Sequence, residues 1–347
     1  MLARMIEPPL RVTLEDVARE AGVSLATVDR VVNRRPGVRG RMVVQVEAAV
    51  ARLGYRPDPA AARLARNRDW RFCFILPGGS NTFMDMLADE VRACAGWLAA
   101  QRAFVEIRHV DVFDAGALAG TLESLVGACD GVATIALDHP RVRAAIDDLA
   151  DQGIAVVTLV SDAPSSRRLH YAGIDNTAAG RTAGSLMGRF LGGRTGCVGV
   201  IAGSLGLRDH AERQSGFAQV IAADYPALSL LPVCESRDEP GRAGAAAAEL
   251  LAAHPDLAGI YNLGAGNRGI IAAVAQAGRK IVYIAHDLTP HTRRALLHGI
   301  ADAVIGQDPG HEARSAARVL LAHCTGEPLL PGQERIGIDI FLRDNMP

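Results

Sequence analysis

Little in this 347-residue sequence points to export, a membrane or a disulfide framework. The opening MLARMIEPPLRV lacks the apolar core of a signal peptide, and no uninterrupted apolar run reaches the ~18 residues a spanning helix requires. The six cysteines, at 73, 94, 129, 197, 234 and 324, are scattered, with neither a CxxC pair nor a Cys/His spacing of zinc type. Most sit inside apolar periodic segments, as buried reduced thiols do in a reducing compartment. Catalytic signatures are missing as well: there is no GxSxG, no P-loop, no HExxH and no cysteine placed as a nucleophile. Asp138-His139 and His286-Asp287 look like acid/base pairs, but adjacent residues point their side chains in different directions. A soluble cytoplasmic protein is expected, without enzymatic activity, metal, cofactor or membrane partner.

Net charge is also nearly absent, at -1, which argues against a protein that is basic throughout. The charge is unevenly spread, however. Residues 1–70 hold 13 arginines against 8 acidic residues, leaving 24 basic and 30 acidic residues in the remainder. From Arg30 to Val46 the arginines at 30, 34, 35, 39 and 41 meet no acid at all, as on a surface that faces phosphates. Hydrophobic residues make up 49% of the chain, and the length suits two or three domains.

The most informative stretch is VTLEDVAREAGVSLATVDRVVN, residues 12–33. Thr13 can cap a helix in which Leu14, Val17, Ala18 and Ala21 share one face, with Asp16 placed to complete a capping box. Gly22 ends that helix, and Ser24 caps a second whose Val28, Val31 and Val32 turn inward. Two short helices joined by a Gly-containing turn form a helix-turn-helix, which projects the exposed face of its second helix into a major groove. Here that face carries Leu25, Ala26, Asp29 and Arg30. A third helix, Arg39 to Leu53, completes a three-helix headpiece ending at Gly54.

TLEDVAREAGVSLATVDRVVNRRPGV resembles the start of LacI/GalR-family transcriptional regulators, and YRPDPAAARLARNR resembles that family's hinge-helix segment. The resemblance implies that Thr13, Ser24, Leu25, Ala26, Thr27, Asp29, Arg30, Asn33, Arg39, Tyr55 and Leu64 meet DNA, with Leu64 wedged into the minor groove. One residue departs from the family pattern, Asp29 in place of a common Ser. Its carboxylate either accepts from a cytosine amino group or orients Arg30.

From Arg71 onward, short apolar runs alternate with amphipathic stretches, the pattern of parallel sheets wrapped by helices. The expected fold is α/β: an N-terminal all-α helix-turn-helix headpiece, then two doubly wound parallel-sheet lobes of the periplasmic-binding-protein type the resemblance implies. The headpiece is expected at 10–54 and the hinge helix and linker at 55–70. A ligand-binding and dimerisation domain follows at 71–347, with lobe 1 near 71–174 and 308–328 and lobe 2 near 176–306 and 330–347. Polar groups gather at the carboxyl ends of the strands, where ligands bind in such sheets. By resemblance to sugar-binding members, Asn81, Phe83, Asp138, Arg213, Asp287 and Gln307 line the cleft, with His139 beside Asp138. Asn267 stands in for an acidic residue the family pattern would place soon after Asn262. Planar amides, carboxylates and a guanidinium suit vicinal hydroxyls, and Phe83 can cover a sugar's apolar face.

The expected function is a ligand-responsive regulator, a repressor of a sugar or polyol operon, acting as a homodimer on double-stranded operator DNA. Two readings compete. Gly264-Ala265-Gly266-Asn267-Arg268-Gly269 spells GxGxxG between a strand and a helix, with Asp287 ending the next strand, which suits a sensor of NAD or a purine nucleotide. Asp29 alone suggests a binding module whose headpiece no longer recognises DNA.

Overall fold

Helix α1, Leu14–Ala21, begins with a reciprocal capping box. The Asp16 amide donates to Thr13 Oγ1 at 3.3 Å and the Thr13 amide donates to Asp16 Oδ2 at 2.9 Å. Gly22, at φ 64°, takes the left-handed conformation that ends the helix. Helix α2, Leu25–Val32, follows, with the Thr27 amide donating to Ser24 Oγ, and then helix α3, Gly40–Leu53. Val17, Val28, Val46 and Ala49, one or two from each helix, are fully buried together. Leu14, Ala18, Val31, Val32 and Leu53 close around them, and Arg52 pairs with Glu20 across the surface at 2.7 Å.

The computed structural model describes residues 12–32, 36–55, 68–330 and 332–347. The chain divides into two units at Arg68 and Asp69. Asn33, Arg34, Arg35 and the hinge segment containing Leu64 lie outside the described residues.

The second unit contains two sheets. In lobe 1, β1 (Trp70–Pro77), β2 (Ala103–Val110), β3 (Gly131–Thr134), β4 (Ala155–Leu159) and β5 (His170–Ala172) lie in the order β2-β1-β3-β4-β5, all parallel. Around them run α4 (Thr82–Ala93), α5 (Ala95–Ala100), α6 (Ala115–Glu123) and α7 (Pro140–Asp151). Strands β3 and β4 are buried along their whole length, as parallel strands covered on both faces must be.

Lobe 2 begins with α8 (Asn176–Leu191), followed by β6 (Gly196–Ala202), α9 (Arg208–Asp224), β7 (Leu228–Leu230), β8 (Cys234–Glu235), α10 (Pro240–Ala253) and β9 (Leu257–Asn262). It continues with α11 (Asn267–Gln276), β10 (Val282–His286), α12 (Pro290–Leu297) and β11 (Ala303–Gly306). Helix α13 (Pro309–Thr325) then returns to pack on lobe 1, against α4, β3, β4 and β5. The final strand β12 (Asp339–Phe341) adds antiparallel to β11, giving the order β12-β11-β10-β9-β6-β7 with β8 also on β6. Three connections therefore cross between the lobes.

Two strands are shorter than the hydrophobic pattern implies. LSLLPV reads as one strand, but pairing stops at Leu230 and resumes at Cys234, because Pro232 has no amide hydrogen for the ladder. RIGIDIFL pairs only over Asp339–Phe341, since Ile336 and Ile338 pack into the main apolar core instead. Among the described residues, no helix is long and apolar enough to cross a membrane.

Candidate functional site

In the headpiece, Val28 of the second helix is buried with Val17 and Val46, which turns the other face of that helix outward. Leu25 is 46% exposed, and Ala26, Arg30 and Arg39 are exposed beside it. Thr27, Asp29 and Tyr55 are half-buried, while Thr13 and Ser24 are occupied at helix starts. The exposed helix face thus carries Leu25, Ala26 and Arg30, with Arg39 at the start of the third helix.

In the second unit, the carboxyl ends of β1, β2 and β3 face the loops that follow β6, β8, β9 and β10. Several polar links join the lobes, among them three between side chains near the strand ends. Asn81 caps α4 by accepting from the amides of Phe83 at 3.1 Å and Met84 at 3.4 Å, and its Nδ2 donates to Asp238 Oδ2 at 3.5 Å. Arg237 donates to Asp111 at 2.7 Å, with its guanidinium 5.0 Å from the Phe113 ring centre. Arg208 donates to Asp138 at 3.3 Å, and Arg143 approaches the same carboxylate at 3.4 Å. Arg237 and Asp238, both in left-handed backbone at φ 53° and 59°, stand side by side at this rim, and Asp238 also accepts from the Ala265 amide of its own lobe at 2.9 Å.

Between the lobes lies a cavity of about 550 Å³, lined by Gly78–Asn81, His109–Phe113, Ile135, Leu207 and Arg237–Glu239. A smaller one of about 40 Å³ lies beside it, with Ser80–Phe83 on one side and Ala265–Arg268, Asp287 and Thr289 on the other. Asn81 lines both. Phe83, Asn267 and Asp287 line the smaller cavity, whereas Asp138, His139, Arg213 and Gln307 line neither.

Behind these cavities is a buried ionic cluster. Arg213, 1% exposed, donates from Nε to Asn176 at 2.8 Å and from Nη1 to the Leu263 carbonyl at 2.7 Å, with Asp209 at 3.8 Å. Its backbone is drawn in by Gly180 on α8, where a Cβ would collide with the Arg213 carbonyl. Gln307, at one lobe crossing, donates to Asp287 at 3.2 Å. Burial raises the Asp287 carboxyl to about 6, opposed by the Arg213 charge. Glu312 on α13 is fully buried, and its pKa is pushed well up by burial and by Asp287. Arg213 Nη2, Asp209 Oδ1, Gln307 Oε1 and both Glu312 oxygens have no hydrogen-bond partner in the protein. Such groups are costly unless something else satisfies them.

The helix-turn-helix matches the bacterial regulatory proteins of the lacI family over residues 13–58, and the two-lobed unit matches the periplasmic binding protein domain over residues 72–328. This chain belongs to the lacI family of regulators. Catabolite control protein A of Priestia megaterium is 46% identical over 86 residues, 25% of this chain and 26% of that protein. The lacI-family chain thus matches only about a quarter of this curated relative's length. Its two lobes superpose on GanP, a glucose-galactose binding protein from Geobacillus stearothermophilus, with TM-score 0.72 and 24% identity over 81% of this chain and 100% of the other. A solute-binding protein of Burkholderia graminis, solved in complex with D-arabinose, gives TM-score 0.73 and 25% identity over 80% and 96% of the two chains.

In this lacI-family member the glycines of the GAGNRG loop pack against the protein itself. A Cβ at Gly269 would strike the Pro240 carbonyl, and at Gly264 it would strike His210 and Asp238. These glycines serve helix packing and the cleft floor, which removes the reason to read them as a phosphate cradle. Asn267 is likewise committed: its side chain accepts from Asn262 at 2.7 Å and Tyr283 at 2.6 Å and donates to the His286 carbonyl at 3.1 Å. His139 caps α7 by accepting from the Arg141 amide, and Asp138 is held by arginines, so the two form no acid/base pair. His286 meets Tyr261 at 2.8 Å while Asp287 meets Gln307.

Asp111, Asp209, Arg237, Asp238 and Glu312 enter the site without having been singled out individually from the sequence. The SRDEP run held a usable signal for two of them: polar residues immediately before a proline that starts a helix, at a strand end. The strand end was misplaced by Pro232, and the signal was lost with it.

Proposed function

We propose that this protein is a ligand-responsive, sequence-specific DNA-binding regulator that represses a sugar or polyol operon. The observation that carries the reading is the cleft of about 550 Å³ at the strand ends, lined by Asn81, Asp111, Arg237 and Asp238, in the same chain as a helix-turn-helix. The carboxylates, amide and guanidinium in that lining suit a ligand rich in hydroxyl groups. The solute-binding proteins of like fold, with their named sugars, support the same class of ligand.

In this reading two copies in the cytoplasm form a homodimer that sets two headpieces on a near-palindromic operator. Leu25, Ala26 and Arg30 read the major groove and paired Leu64 side chains kink the centre. The effector sits between the lobes, and Asn81, Asp238, Asp287 and Gln307 respond to it. Closure changes the dimer geometry and with it operator affinity, so effector and operator must alter each other's binding by the same factor.

A thermal-shift panel of pentoses, hexoses, polyols, sugar phosphates and purines tests the ligand class. A ligand at about 100 times its Kd adds roughly 2.7 kcal/mol. Stabilisation by a sugar or polyol, lost in Asp287→Ala with DNA binding retained, is the expected result. Stabilisation by purines alone would overturn it.

A further inference from the structure

Far from the cleft, at the amino-terminal ends of β6 and β9, Cys197 meets two side chains from a turn more than fifty residues further along the chain. Cys197 Sγ, a ring nitrogen of His254 and a carboxylate oxygen of Asp256 all lie within 4.8 Å of one another. We propose that they form a binding site for a zinc-class divalent cation.

The backbone is shaped to bring them together. His254 and Asp256 flank Pro255 in the short turn between α10 and β9, and the Arg279 guanidinium holds that turn by donating to the Leu251 and His254 carbonyls at 2.9 and 2.8 Å and to that of Pro255. Cys197 is tied to the same turn from the other side, its amide donating to the Asp256 carbonyl at 3.3 Å. Gly196, at φ 141°, permits that approach, since a Cβ there would strike the same carbonyl. The β6–β9 ladder is also irregular at this point: the register shifts between Cys197 and Val198. Such bulges re-aim a side chain.

The donor set is a thiol, an imidazole and a carboxylate, the mixture that favours zinc over calcium or magnesium. Around a tetrahedral zinc, with bonds of about 2.0–2.3 Å, neighbouring ligand atoms lie roughly 3.3–3.7 Å apart. Cys197 Sγ and Asp256 Oδ1 are already 3.5 Å apart. The half-buried imidazole need only close in by a side-chain rotation, and exposed Asp256 leaves the fourth position to water. Ionised Cys197 and Asp256 together balance the cation, while Arg279 opposes it, so the affinity falls below that of a four-ligand structural zinc site. The site lies at the opposite end of β6 from the ligand cleft, about 20 Å away by strand rise, and is independent of the effector reading.

The test is zinc titration of the full-length, tag-free protein by calorimetry, repeated with cobalt to read the thiolate charge-transfer band. We expect one ion per chain, a cobalt–thiolate band absent in Cys197→Ser, and at least a tenfold loss of affinity in His254→Asn and Asp256→Asn. Those two positions are exposed or half-exposed, so the variants keep their fold, which an unchanged melting temperature in chelator confirms. No saturable binding, or binding that survives in His254→Asn and Asp256→Asn unchanged, would overturn the proposal.

Discussion

The headpiece and the cleft unit solve opposite problems. In the headpiece, Leu25, Ala26 and Arg30, the residues proposed to read DNA, are exposed and the supporting core is small, with Val17, Val28, Val46 and Ala49 its fully buried members among the described residues. In the cleft unit, ample apolar core supports polar groups that are themselves buried, several without partners. Function in the first depends on a surface held in shape by little, and in the second on charge held out of water by much. Damage should therefore separate: headpiece changes act on DNA binding through stability, and cleft changes act on ligand response through electrostatics.

The largest effect is expected from Arg213→Met. It removes the one cation among Asp209, Asp287 and Glu312 and should cost about 3–5 kcal/mol in the cleft unit. Calorimetry should show that unit melting lower with the headpiece transition unchanged. A loss under about 1 kcal/mol would mean that the carboxylates are neutralised some other way.

Next comes the pH dependence of Asp287. Its folded pKa of about 6 exceeds the ordinary 3.8, so the native state holds the proton more tightly than the unfolded chain. Stability from this group is complete below about pH 4 and falls by about 3 kcal/mol as pH rises through 6. Asp287→Asn keeps an acceptor for Gln307 and should remove this slope. Melting curves of both proteins from pH 4.5 to 7 should converge on the mutant being relatively more stable at the upper end, and parallel curves would contradict the assignment.

Val17→Ala, which opens the middle of the headpiece core, should cost about 2 kcal/mol there. DNA binding should weaken while sugar-induced stabilisation of the cleft unit stays the same. The smallest effect belongs to Asp111→Asn, which unpairs Arg237 at a half-exposed rim position, with stability changing by less than about 1 kcal/mol. A several-fold change in ligand dissociation rate, measured by stopped-flow fluorescence, would assign the Arg237 clasp to the effector's exit.

Legibility in the sequence follows the same division. Thr13, Asp16 and Gly22 act within one turn of themselves, so residue spacing alone defines α1 and its cap. At the strand ends, topology brings Asn81, Asp287 and the crossing residue Gln307 into one region, which alternation of strand and helix can foresee. The backbone of Arg237 and Asp238 could not be foreseen even where the SRDEP run marks a strand end, because left-handed backbone at two consecutive non-glycine residues is set by the surrounding loops. Glu312 was hidden for another reason: an acid in the first turn of a helix reads as a solvated, dipole-favoured group, and only the tertiary packing of α13 buries it. The glycines of GAGNRG misled in the converse way, since close packing and phosphate binding demand the same residue.

The most direct measurement is operator affinity with and without the effector. An operator selected from random duplexes by the full-length protein is titrated by fluorescence anisotropy in the presence of each stabilising sugar or polyol. The account predicts that at least one changes operator affinity by roughly 5–150-fold, that operator DNA changes the sugar's affinity by the same factor, and that Asp287→Ala abolishes both. A sugar that binds the cleft tightly yet leaves operator affinity untouched would contradict it.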